Sequence, residues 1–230
     1  MAAPAAATAP LALLLELAIV VTALVGVVRI AGLRALSDDP RLRRLSWFFG
    51  LFAAAVGVQV LLTTLLLGKA PQAGPGLVLL RLARLTLLEH GLMLAAFVVA
   101  LRAFATPWKA AAPVAASLLL APRLGLAWLM GLVESLLALY LAIASVVNQR
   151  HRRTRGSLRV AAGFALFFLG HLSFWAFAKT GAVRPFWAEA LTLASILLLV
   201  SSVPRRSRLD DAGPEEPQEP KEPAGPAGAA

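Results

Sequence analysis

Six stretches of this chain, 11–33, 45–67, 77–101, 124–147, 158–178 and 185–203, are apolar over a length that crosses a bilayer as a helix. Roughly 20 such residues cover the ~30 Å of hydrocarbon. A chain built this way is expected to be an all-α integral membrane protein. Only 15% of its residues are charged, where a soluble domain carries about a quarter. The net charge of +10 does not point to nucleic acid, because the basic residues fall between apolar blocks, where lipid headgroups are their counter-ions. The bilayer is the expected partner and nucleic acid is not. With no cysteine, disulfides and thiolate metal sites are excluded. The opening MAAPAAATAP has no basic residue ahead of the first apolar run, so that run is expected to be a retained span and not a cleaved signal.

A seventh, weaker stretch, 108–122, is interrupted by Pro113. Its apolar core would cover roughly 18 Å as a helix. Charge bias argues for counting it. With this span included, the loops holding Arg34, Arg41, Arg43 and Arg44, then Arg102 and Lys109, then Arg150, Arg152, Arg153, Arg155 and Arg159, and the tail with Arg205, Arg206 and Arg208, share one side. Short loops rich in Lys and Arg stay cytoplasmic. The prediction is a seven-transmembrane helix bundle of the cell membrane, residues 1–203, with the N-terminus outside and the C-terminus cytoplasmic. Residues 204–230, rich in Pro, Glu, Ala and Gly, are expected to form a disordered cytoplasmic tail.

The spans also admit a 3+1+3 parallel internal repeat. Spans one and five each carry one glutamate, Glu16 and Glu134, and spans three and seven carry Glu89 and Glu189. Spans two and six share a glycine spacing, Gly50 with Gly57 and Gly163 with Gly170. In topology and length this resembles the plan of SWEET-type sugar transporters. The prolines that such transporters use as hinges are missing, since spans one, two, five and six contain none.

An ionisable residue inside a span costs a few kcal/mol to insert and marks a functional site by default. The candidates for ligand or proton binding are Glu16, Gln59, Glu89, Glu134, His171 and Glu189. Counted from the outer span ends at 1.5 Å per residue, the four glutamates lie roughly 6 to 18 Å deep. They predict a polar pocket facing outward. Glu134 shares its helical face with Ala127, Gly131, Ala138 and Ser145, a stripe of small residues that points it into the bundle. His171 shares a face with the pocket-lining candidates Phe164, Phe167, Phe168 and Trp175. His90, a further lining candidate, is rotated by about 100° from Glu89, so only one of the two is expected to face the axis. Arg81 and Arg84 are the candidate charge partners for Glu16 or Glu189.

Three function classes fit these residues. The first is a transporter whose glutamates bind protons or a cation while the aromatic face takes a small solute. The second is a seven-helix sensor signalling through a cytoplasmic partner docked on the basic loops. Its outline looks like a rhodopsin, but a retinal Schiff base needs a lysine in span seven, and 185–203 has none. The third is an intramembrane metal-dependent enzyme. It lacks the helical His-x-x-x-His or Glu-x-x-His pairs, and it has two histidines within spans where ceramidase-type hydrolases have several. Haem on His90 and His171 also fits poorly, because their counted depths differ by roughly 9 Å. No cofactor is implied, and a homo-oligomer is compatible with every class. The repeat favours transport.

Overall fold

The computed structural model describes residues 4–37, 39–68, 75–104, 126–152, 155–178 and 186–203. Among them are six helices: α1 (Pro4–Arg34), α2 (Pro40–Gly68), α3 (Pro75–Phe104), α4 (Leu126–Arg152), α5 (Arg155–Ala178) and α6 (Phe186–Ser202). Each of the six long apolar stretches falls on one of them. The predicted span 108–122 and the tail 204–230 lie outside the described residues. Four helices are long and apolar enough to cross a membrane, over Pro10–Arg34, Pro40–Leu65, Arg84–Ala103 and Leu129–Asn148. The described apolar parts of α5 and α6 are shorter, Leu158–Ser173 and Phe186–Ser202. An all-helical chain with such spans has the build of a membrane-embedded protein.

Leu- and Ala-rich sequence favours helix throughout, and the starts are marked. Pro4, Pro40 and Pro75 each occupy a first helical position, where a missing N–H costs nothing. Asp39 caps α2 by accepting from the Arg41 amide at 2.8 Å. The faces then sort by environment. On α1, Glu16, Ile19, Ala23 and Ile30 are buried, whereas Leu14, Val21, Leu24 and Val28 are exposed. An exposed stripe this apolar is suited to lipid and not to water.

The helices close into a ring in chain order, each packing on the next, with α3 against α4 and α1 against α6. Their directions follow from which residues share a level. Gln59 bridges Glu16 and Glu189, and Arg29 reaches the Val200 carbonyl, so α1 and α6 run parallel. Gly26 lies against Phe49 while Glu16 meets Gln59, so α2 runs against α1. Arg44 meets Arg102, and Phe52 and Phe97 both touch Phe167, so α3 runs against α2. Phe97 touches Phe164, and Glu134 joins His90 to His171, so α5 runs against α3. Helices α4 and α5 are separated only by residues 153 and 154 and pack together as a hairpin. Arg159 beside Ser201 and Gly170 beside Ala188 make α6 antiparallel to α5. Helices α1, α3, α4 and α6 therefore point one way, and α2 and α5 the other.

Phenylalanines fill the middle of the ring. Phe48 and Phe52, one turn apart on α2, meet Phe164 and Phe167 on α5 with ring centroids 6.1 and 5.7 Å apart. Phe97 on α3 closes on Phe167 at 5.2 Å. These rings are almost fully buried and form an apolar layer across the bundle.

The matched glycines of spans two and six do not share a packing role. A Cβ on Gly163 would stand 2.8 Å from Leu199 Cγ and 3.2 Å from the Ser195 carbonyl, and one on Gly170 would stand 3.2 Å from the Ala188 carbonyl. Among the described residues nothing lies within 4 Å of a Cβ at Gly50 or Gly57. Gly163→Ala is therefore expected to destabilise the bundle by about 1–3 kcal/mol through overpacking, while Gly50→Ala gains up to about 1 kcal/mol of helix propensity. Melting of the two variants in the same lipid checks this; equal shifts would contradict the close approach of α5 and α6.

Candidate functional site

Two turns along α2 from Phe52, and two turns back along α3 from Phe97, the bundle becomes polar. Both steps cover about 10 Å along the axis, at 1.5 Å per residue, toward the N-terminal ends of α1, α3, α4 and α6. This layer takes a polar side chain from each of the six helices: Glu16, Gln59, Glu89, Glu134, His171 and Glu189, with His90 as a second from α3. The glutamates and Gln59 are all buried, Glu134 at 1% exposure and Glu16 at 2%.

The layer divides into two clusters. In the first, the Glu134 carboxylate lies between two imidazoles. His90 Nδ1 is 2.9 Å from Oε1 and His171 Nε2 is 3.3 Å from Oε2. The imidazoles are less deeply placed than the acid, with side chains 17% and 21% exposed against 2%. His171 also stacks on Phe167, centroids 4.4 Å apart and planes inclined by 27°, so the apolar layer orients the ring. Small residues make room at the α4 end: Gly131, Ala138 and Ser145 on the Glu134 face are buried.

In the second cluster, Gln59 Nε2 donates to Glu16 Oε1 at 2.7 Å and to Glu189 Oε1 at 3.2 Å. The Thr63 hydroxyl donates to Glu16 Oε1 at 3.3 Å. One amide thus gathers two carboxylates from α1 and α6. Sequence reasoning missed Thr63, although it lies one turn beyond Gln59 and so on the same face. It also missed Phe48 and Phe52, although their i, i+4 spacing on α2 was visible.

Several expectations change. The polar residues face one another across the bundle, because a carboxylate in a low-dielectric interior needs hydrogen-bond partners. Both members of the Glu89–His90 pair face the protein. Glu89 is buried on the face of Met93, Ala96, Phe97 and Ala100, while His90 turns to Glu134 on α4. Two faces of α3 are covered because it packs on both α2 and α4. The two histidines that depth counting kept apart flank a single carboxylate. Counting from predicted span ends assumes that every helix starts at one level, and these do not. Arg84 is exposed and makes no ion pair among the described residues. The side chains of Arg81 and Trp175 lie outside those residues. Phe164 belongs to the apolar layer, and Phe168 is partly buried against the core.

At the opposite end, Arg44 donates to the Arg102 carbonyl at 2.7 Å, Arg159 to that of Ser201 at 3.2 Å and Arg29 to that of Val200 at 3.4 Å. These guanidinium groups add to the hydrogen bonding of carbonyls in the last turns of α3 and α6, where the helix pattern runs out of amides; the Val200 carbonyl also accepts from the Val203 amide at 3.2 Å.

Chemically, the Glu134 cluster can hold and pass protons, and the Glu16–Gln59–Glu189 cluster can present carboxylate oxygens to a donor or cation. Among the described residues no three His, Cys, Asp or Glu side chains are arranged to hold one metal ion. His90 and His171 direct a nitrogen at different oxygens of Glu134 and not at a common centre. No family model matches the chain, and neither does any curated protein or solved structure.

Proposed function

We propose that this chain is a seven-span carrier of the cell membrane for a small solute or cation, with its N-terminus outside and its C-terminus cytoplasmic. One observation carries the reading: each of six helices commits a polar side chain to one buried layer lying directly on a layer of phenylalanine. Burying four glutamates at mid-bundle is costly, and helix association alone needs only packing and a few neutral hydrogen bonds. Groups that can be loaded and unloaded, above a barrier that water does not cross, are what a carrier requires.

The direction of the helices supports the seventh crossing. Helices α3 and α4 are neighbours running the same way, so a chain passing from Phe104 to Leu126 has to return to the first face. The weak apolar stretch 108–122 is the candidate for that crossing. The arginine-rich ends then share the cytoplasmic side. A half-turn of the ring carries α1, α2 and α3 onto α4, α5 and α6 in order and direction, and it carries the Glu16 cluster onto the Glu134 cluster. This favours two parallel halves, with Gln59 as the counterpart of His171.

The absence of cysteine makes the test direct. In a carrier, the Thr63→Cys variant reacts with a membrane-impermeant methanethiosulfonate from either face of sealed vesicles, since the layer opens alternately. Ser37→Cys, on the exposed turn after α1, reacts only from the cytoplasmic face and reports vesicle orientation. Labelling of the Thr63→Cys thiol from one face only, or from neither, rejects the carrier in favour of a static bundle or a sensor.

A further inference from the structure

We infer that the ion this bundle handles is the proton, and that His90, Glu134 and His171 pass it across α4 as a relay. The inference rests on the carrier reading above and assigns the chemistry of one of its two clusters. Each carboxylate oxygen of the buried Glu134 meets one imidazole, and the side chains of both imidazoles are partly exposed. Among the described residues, the two ring nitrogens are the groups in hydrogen-bond contact with the acid and so the route by which a proton reaches it.

The geometry accommodates each forward proton transfer without moving a heavy atom, and the return to the starting state takes place by rotation of the side chains. Both contacts, at 2.9 and 3.3 Å, hold one hydrogen each, either on the ring nitrogen or on the carboxyl oxygen. Consider His90 carrying its hydrogen on Nδ1 and Glu134 carrying one on Oε2. A proton taken up at Nε2 makes His90 an imidazolium. The Nδ1 proton passes to Oε1, the Oε2 proton passes to His171 Nε2, and the C=O and C–OH bonds of the carboxyl exchange. His171 is now the imidazolium and releases the proton on its Nδ1. One proton has entered, one has left, and no charge remains on the triad. To return to the first state, each ring swings out of its contact with Glu134 and exchanges tautomers with water on its own side, and the carboxyl makes a half-turn about its Cγ–Cδ bond, so that no proton goes back. Phe167 stacked on His171 steadies the imidazolium through its π face. Phe167 also belongs to the apolar layer that keeps the relay from leaking.

Other groups set the field in which this proton sits. From α3 the neighbour is Glu89, from α1 Glu16 and from α6 Glu189, while α2 presents the uncharged Gln59 amide. On α4, Tyr140 lies six residues beyond Glu134, and among the described residues of α5 His171 is the ionisable group nearest the layer.

The test is proton flux into proteoliposomes of the full chain holding trapped pyranine, driven by a potassium diffusion potential with valinomycin. Wild-type protein and Arg84→Gln are expected to acidify the lumen. Glu134→Gln, His90→Gln and His171→Gln should each lose flux by on the order of 100-fold, the effect expected of a positioned proton-transfer group. Absence of flux in the wild type, with the Thr63→Cys variant still labelled from both faces, overturns the relay and leaves the carrier standing. Labelling from one face only removes the carrier itself. The unaltered protein supplies a second measurement that no folding defect can obscure. With three histidines in the chain, ¹⁵N-histidine spectra should show two imidazoles changing together in one transition with pH. Two independent transitions would reject a shared proton.

Discussion

Glu134→Leu is expected to lower the stability of the bundle by about 2–4 kcal/mol, because it strands two imidazoles at once and each orphaned buried donor costs roughly 1–3 kcal/mol. Partial exposure of the rings keeps the total below the sum for fully buried groups. The leucine itself fits an apolar environment, so the loss comes from its neighbours. Two further variants separate this cause from a packing defect. Glu134→Gln, which keeps an acceptor for one ring and a donor for the other, should lose less than half as much. Adding His90→Leu and His171→Leu to Glu134→Leu should recover part of the loss, because removing all partners together leaves nothing unsatisfied. Thermal melting in lipid nanodiscs measures all three. If Glu134→Leu melts with the wild type, the triad holds nothing together, and the same carboxylate loses its claim to be positioned for proton transfer.

Phe167→Ala is the second large effect. Phe167 touches Phe52, Phe97 and His171, so the truncation opens a cavity at the point where three helices meet the polar layer. In soluble cores Phe→Ala costs about 3–5 kcal/mol, of which one part is transfer from water and the other the cavity. In a bilayer the unfolded reference is already apolar, so the cavity part dominates, and a loss of about 2–3 kcal/mol is expected. The functional consequence is larger than the structural one. With the apolar layer breached and His171 no longer held by stacking, vesicles carrying Phe167→Ala should leak protons at a rate that no longer depends on Glu134. Phe167→Leu, which refills most of the volume, should restore the seal. A Phe167→Ala variant that stays tight would show that the phenylalanine layer is not the barrier.

Much of this architecture was legible in the chain. The helices follow from apolar runs whose length is set by the bilayer, and the polar layer follows from glutamates placed where insertion is costly. Glu134 could be oriented from its own helix, because a stripe of small residues marks the face that other helices approach. His90 could not. A single helical wheel allows one buried face, and Glu89 claimed it, whereas α3 is covered on two sides by α2 and α4. The glycine spacing shared by spans two and six misled in the opposite way. It matched in sequence, yet among the described residues Gly163 and Gly170 have a neighbouring helix within 4 Å of a Cβ, and Gly50 and Gly57 do not. Gln59 and His171, the counterparts under the proposed half-turn, are residue types that sequence comparison would not have aligned.

Sequence alone determined that the chain is helical, that it has the build of a membrane-embedded protein, and which polar residues interrupt its apolar runs, because these properties belong to each segment by itself. Only the tertiary structure decided which of those residues meet: that Glu134 takes two imidazoles, that Gln59 gathers Glu16 and Glu189, and that phenylalanines seal the axis below them. Those choices depend on helix order, direction and relative height, which are set by packing between segments distant in the chain and leave no mark within any one of them.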